Sequence, residues 1–113
     1  MPAAKLNLLV EQGATFSKTL VWKDKNKRAI NLTGYTARMQ IRKTVGDATV
    51  IYELTTANGR ITFPAAGTIK LNIPAAVTST LQSGVYDLEM IAPNGDVLRL
   101  IEGKVTVSPE VTR

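Results

Sequence analysis

What most constrains this chain is a period of two. Short runs in which apolar and polar residues alternate recur along it: Lys5 to Val10, Thr15 to Lys23, Tyr35 to Lys43, Thr49 to Leu54, Arg60 to Phe63, Thr68 to Ile73, Val85 to Ala92, Asp96 to Ile101 and Lys104 to Val107. Successive side chains of an extended chain point to opposite faces, so each run has the pattern of a half-buried strand. In "YTARMQIRK", Tyr35, Ala37, Met39 and Ile41 share one face, while Thr36, Arg38, Gln40 and Arg42 share the other. About nine such runs, at roughly the 8–12-residue spacing of all-β folds, predict a sandwich or barrel. Inward positions such as Leu8, Met39, Ile69, Leu71, Leu88 and Val105 are numerous enough for one core.

Turn signals separate the runs. Asn-Gly in "ANGR" (57–60) and "PNGD" (93–96) accepts the positive φ angles of a type I′ hairpin, and "KDKNK" and "TVGDAT" are looser turns. In "PAAVTSTLQSG", Pro74 suits a first helical position and Gly84 the position just past the end, which predicts one short helical turn near residues 74–82. In immunoglobulin-like sandwiches a tyrosine follows such a corner at the start of the sixth strand and sends its hydroxyl back to the chain. Tyr86 occupies that place, with an ordinary core aromatic as the equal alternative. The expected fold class is therefore all-β: an immunoglobulin-like antiparallel β-sandwich of about 7–9 strands, with residues 1–113 as one domain.

The chain has no cysteine and no histidine, which removes disulfides, thiolate metal sites and every His-based catalytic arrangement. It has no Gly-x-Ser-x-Gly elbow and no phosphate-cradling glycine loop. Asp87 and Glu89 stand side by side on one strand face rather than flanking a scissile bond, and they lack the loop spacing of a calcium site. The expectation is no enzyme, no catalytic residue, no cofactor and no metal. No run approaches the roughly 18 apolar residues of a membrane helix, and "MPAAKLNLLVEQ" lacks a signal-peptide pattern, so no membrane contact is expected and synthesis in the cytoplasm is.

Net charge is +5, and the excess lies in the first half: through Ala57 there are nine basic and four acidic residues, and five of each thereafter. Clustered Lys25, Lys27, Arg28, Arg38 and Arg42 make a nucleic-acid-binding module conceivable, because cations displace counterions from phosphate. Aromatics make up only 5% and do not interleave with the basic residues, so nucleic acid is the less favoured partner. Pairing of Arg38 and Arg42 with Asp87 and Glu89 on a neighbouring strand explains the charges more economically. A carbohydrate-binding module would need exposed aromatics, whereas Trp22 and the tyrosines are assigned inward. More telling are Leu9, Ile51, Ile91 and Val97, aliphatics on faces that alternation gives to solvent. A sandwich has one core, so a second apolar face calls for a protein cover. The candidate interaction surface is thus Lys25, Lys27, Arg28, Arg38, Arg42, Leu9, Ile51, Ile91 and Val97.

The segments "KLNLLVEQGATFSKTLVWKD", "INLTGYTARMQIRK" and "SGVYDLEMIAPNGDVLRLIEGKVTVSPEVTR" together resemble a group of small tailed-bacteriophage and prophage proteins, across nearly the whole chain. Their layout is similar to the immunoglobulin-like N-terminal domain of phage baseplate upper proteins, with Asn31 standing where that group has aspartate. The resemblance implies a non-enzymatic virion structural protein, either a tail or baseplate adaptor or a capsid decoration protein of the head surface. It implies other virion proteins as partners, several copies per particle or a homo-oligomer, and no catalytic residues to carry over.

Overall fold

The computed structural model describes residues 3–112; Met1, Pro2 and Arg113, the ends of the expected domain, lie outside it. The elements are β1 (Ala4–Lys5), β2 (Leu8–Glu11), β3 (Phe16–Val21), β4 (Thr36–Arg42), β5 (Tyr52–Thr55), β6 (Ile61–Ala65), β7 (Thr68–Ile73), α1 (Ala75–Thr78), β8 (Gly84–Ile91) and β9 (Val97–Ser108). They form two sheets. One runs β1-β9-β8-β4-β5, with β2 also on β9, and the other runs β3-β7-β6. This is the immunoglobulin-like division, in which the sheet holding β9, β8 and β4 packs on a smaller sheet. Pairing is antiparallel except where β1 and β2 run parallel to β9.

Alternation places the core. In β4, Ala37, Met39 and Ile41 are buried, and in β8, Tyr86, Leu88 and Met90 face them across the pairs Met39↔Leu88 and Ile41↔Tyr86. Ile69, Leu71 and Ile73 close the core from β7. Each such side chain contributes about 1.5–3 kcal/mol on leaving water. Thr78 is the one fully buried polar side chain among the described residues, and its hydroxyl donates to Ala14 O at 2.8 Å, tying the helical turn to the β2–β3 connection.

Several local expectations are corrected. The 57–60 segment does not make a hairpin, because β5 and β6 belong to different sheets; the turn carries the chain across the sandwich. Nor are the Asn-Gly turns type I′. Gly59 and Gly95 have φ of 78° and 94°, but neither Asn58 nor Asn94 has positive φ. Each glycine N–H instead bonds three residues back, to Thr56 O and Ala92 O, so each turn starts one residue earlier and the glycine takes the left-handed position after it. In the second turn Pro93 occupies the first central position, where its fixed φ rules out type I′. The "KDKNK" turn has the same form, with Lys27 at φ 63° in the position glycine fills elsewhere, at a cost of roughly 1 kcal/mol or more. Helix α1 stops at Thr78, with Pro74 as its N-cap rather than its first residue. Gly84 opens β8 instead of closing the helix; a Cβ there would run into Arg42 O.

The first run splits and the last two fuse, for one shared reason. Gly103 reads as a break between strands, yet β9 passes straight through it, because Leu6 O lies where its Cβ would be. Leu6 and Asn7 interrupt the N-terminal strand at this point: Leu6 O accepts from the Tyr86 hydroxyl at 2.6 Å, and Asn7 Oδ1 accepts from Lys104 N at 3.0 Å. Tyr86 sits directly opposite Gly103 and reaches over it. Its hydroxyl therefore bonds back to the chain, as expected of the immunoglobulin tyrosine, and the segment it reaches lies 80 positions upstream. Burial pushes the Tyr86 phenol up from 10.0 to about 12. The unfolded chain ionises first, so this group leaves stability unchanged below pH 10 and lowers it as pH rises towards 12. Urea midpoints across that range should fall in the wild type and fall less in Tyr86→Phe.

Candidate functional site

The outer face of the larger sheet carries a charge ladder built by register. Arg38↔Glu89 is a cross-strand pair of β4 and β8, and Arg38 Nη2 donates to Glu89 Oε1 at 2.7 Å. Glu89 raises the Arg38 pKa further, chiefly through that hydrogen bond. Arg42 departs from the expected pattern. It stands opposite Val85, and its guanidinium donates to Asp47 O and Gln40 Oε1, each at 2.7 Å. Arg99 takes the second acid instead, lying 3.4 Å from Asp87 and 3.5 Å from Glu102, and Lys5 bonds Glu102 at 2.5 Å.

A bulge makes that arrangement possible. Between Leu88↔Ile101 and Glu89↔Arg99 the register shifts, leaving Leu100 unmatched, so Arg99 and Glu102 share a face they could not share on a regular strand. Sequence reasoning missed Lys5, Arg99 and Glu102, because neither the bulge nor a pairing 97 residues apart shows in alternation. Partial burial raises the Asp87 carboxyl, partly offset by Arg99, while hydrogen bonding from Lys5 lowers Glu102. The ladder surrounds a shallow depression of about 700 Å³, in which Lys5, Arg38 and Arg99 are met by Asp87, Glu89 and Glu102. These pairs are exposed to solvent, which screens them, so they add little to stability.

The remaining candidates separate into three places. Lys25, Lys27 and Arg28 are exposed on the connection between β3 and β4, which at Gly34 approaches Pro93 in the turn from β8 to β9. Ile91 and Val97 are cross-strand partners at that same end, Ile91 half-buried and Val97 56% exposed. Leu9 is 61% exposed on β2 towards the opposite end, beside Thr106. Ile51 is a correction: it is half-buried and packs against the core cluster, because β5 begins only at Tyr52 and the chain bends before it. Two further aliphatics are exposed: Val21, at 60%, on β3 of the smaller sheet two residues before Lys23, and Leu98, at 37%, beside Val97 on β9. The basic residues of the first half are therefore not one stripe: some cap an end, and others lie on the larger sheet.

The cations at the end differ from Arg38 and Arg99 on the face. No ion pair among the described residues involves Lys23, Lys25, Lys27 or Arg28. Asp24, the acid among them, directs its Oδ1 to the backbone N–H groups of Asn26 and Arg28, at 2.8 and 3.0 Å. Asn31 does the same work nearby, its Oδ1 accepting from Thr33 N at 3.0 Å and Thr33 Oγ1 at 2.8 Å. No three acidic side chains among the described residues converge as metal ligands would.

No protein-family model matches the chain, and no curated protein matches it. Among solved structures it is similar to Tim-1, with a TM-score of 0.52 and 14% identity over 100% of this chain and 99% of that one. It is also similar to a structure from photo-crosslinking analyses of multimeric cell-adhesive interactions of VGSC beta subunits, with a TM-score of 0.51 and 8% identity over 94% and 93% of the two chains. At such identities the likeness is one of fold, an immunoglobulin-like sandwich.

Proposed function

We propose that this chain is a non-enzymatic structural protein of a tailed-bacteriophage virion, an adaptor of the tail or baseplate that docks other virion proteins and works in several copies. The observation that carries the docking role is surplus apolar surface on a sandwich whose core is already filled. Met39, Ile41, Leu54, Leu71, Leu88 and Met90 expose nothing, while Leu9, Val21 and Val97 remain more than half exposed. Covering such side chains is what a protein partner does. The virion assignment rests on the sequence resemblance of the opening, "INLTGYTARMQIRK" and closing segments. Repetition in a particle would let modest contacts add up to firm attachment.

Peptide mass spectrometry on purified particles, with heads and tails separated and copies counted, tests this reading. Low, symmetry-matched copy number in tails is the expected result. Hundreds of copies on heads would make the chain a decoration protein, and absence from both fractions would overturn the virion assignment.

A further inference from the structure

We propose that the 23–29 hairpin, with the aliphatic side chains at the same end, forms a docking site for an acidic, partly apolar segment of a partner polypeptide. The inference rests on the docking role above; it names the end that docks and the chemistry it takes. Charge is the first argument. Lys23, Lys25, Lys27 and Arg28 project as exposed cations without ion pairs among the described residues, whereas the cations Arg38 and Arg99 of the larger sheet are met by Glu89, Asp87 and Glu102. An unanswered cluster attracts an anionic partner and fixes its register.

Order is the second. The hairpin is closed by Asp24 N donating to Arg28 O at 2.9 Å, Lys27 N to Asp24 O at 2.9 Å, and the Lys23↔Ala29 bridge. Its base is held by Ile30 N on Trp22 O at 3.1 Å and by Trp22 N on Gly67 O at 2.6 Å, in the β6–β7 turn. The charged side chains take no part in this scaffold, so the backbone that carries them is ordered before binding.

Lys27 supplies the third. Of three turns of the same form, those at Gly59 and Gly95 place glycine in the left-handed position, and this one places lysine there at φ 63°. Backbone strain kept at one position points to a use for its side chain. The class of partner follows from what surrounds the charges. Val21, 60% exposed and two residues before Lys23, offers aliphatic surface beside the cations, and Val97 and Leu98 are exposed where β9 begins on the other sheet. Trp22 and Tyr35 pack edge to face, with ring centroids 5.8 Å apart, and are half-buried rather than splayed for base stacking. Aliphatics beside cations suit a peptide of acidic and apolar residues better than a phosphate backbone.

Fluorescence anisotropy on the full chain tests this with three labelled probes: a peptide of glutamates interspersed with leucines, a polyglutamate of equal length, and an oligothymidylate of matching charge. The leucine-bearing peptide should bind tightest. Lys25→Gln combined with Arg28→Gln should weaken it about tenfold or more, and Val21→Ser should bring it towards polyglutamate. Lys27→Gly should weaken binding while raising the melting temperature, an opposition that loss of fold cannot produce. Tightest binding of oligothymidylate with steep salt dependence would make the site a nucleic-acid surface and overturn the inference. Indifference to the variants, or no binding of any probe at low salt, would overturn it as well. The assay needs no particle: absence of the chain from virions would refute the virion assignment alone, and unaltered binding by the hairpin variants would refute this inference alone.

Discussion

Gly103→Ala is expected to release the N-terminal strands from the sheet and to destabilise the protein by about 2–4 kcal/mol. Gly103 does not have positive φ, so the effect is steric. The added carbon would occupy the space of Leu6 O and crowd Leu6 C and Asn7 Oδ1, and Leu6 is backbone that cannot swing aside as a side-chain tip can. Displacing Leu6 also breaks its bond with Tyr86, leaving a phenol hydroxyl with 4% residue exposure short of an acceptor. Urea unfolding measures the loss, and amide hydrogen exchange locates it: residues 4–11 should lose protection ahead of β4 and β8. Gly95→Ala is the control, since its Cβ would meet nothing and only the φ of 94° would be penalised. If Gly103→Ala kept full protection of β1 and β2, the close approach would not be what holds that strand.

Leu88→Ala should cost about 2–5 kcal/mol, the range for emptying a well-packed aliphatic site. Leu88 has no accessible surface and sits mid-strand between Met39 on β4 and Ile101 on β9, so the two central strand pairings of the larger sheet meet at it. A domain of this size has only about 5–15 kcal/mol of stability, so the variant should unfold at a far lower urea concentration with an unchanged m-value. Val97→Ala, on the same sheet but 56% exposed, should move the midpoint little. Similar losses from both would mean that the outward aliphatics are structural rather than free for a partner.

The candidate site was legible in uneven measure. Arg38 opposite Glu89 was readable, because both lie on polar faces of adjoining alternating strands and register then brings them together. Arg42 was misread by the same logic. Two outward positions beyond Arg38 on β4, its neighbour is Val85, since Gln40 stands opposite Asp87, and the nearer acceptor is the carbonyl of Asp47 in the following loop. Leu9 and Val97 were visible as aliphatics in polar phase and are exposed, whereas Ile51 had the same phase but lies on a bend outside its strand. That Lys25, Lys27 and Arg28 stand unpaired while Arg38 and Arg99 do not could not be read from composition, which counts charges without their neighbours.

By itself the sequence determined the all-β class, the short helical turn after Pro74 and most of the core, because side-chain alternation and turn chemistry are local properties that act within a few residues. It also determined that no histidine or cysteine chemistry is open to this chain. Only the tertiary structure decided which strands share a sheet, that "ANGR" crosses between sheets, that β9 runs unbroken through Gly103, and that the bulge at Leu100 turns Arg99 towards Asp87 and Glu102. The physical reason is the same in each case. These features depend on atoms brought together from distant positions, Leu6 beside Gly103 and Lys5 beside Glu102, and a local pattern carries no record of what will lie on the other side of a strand.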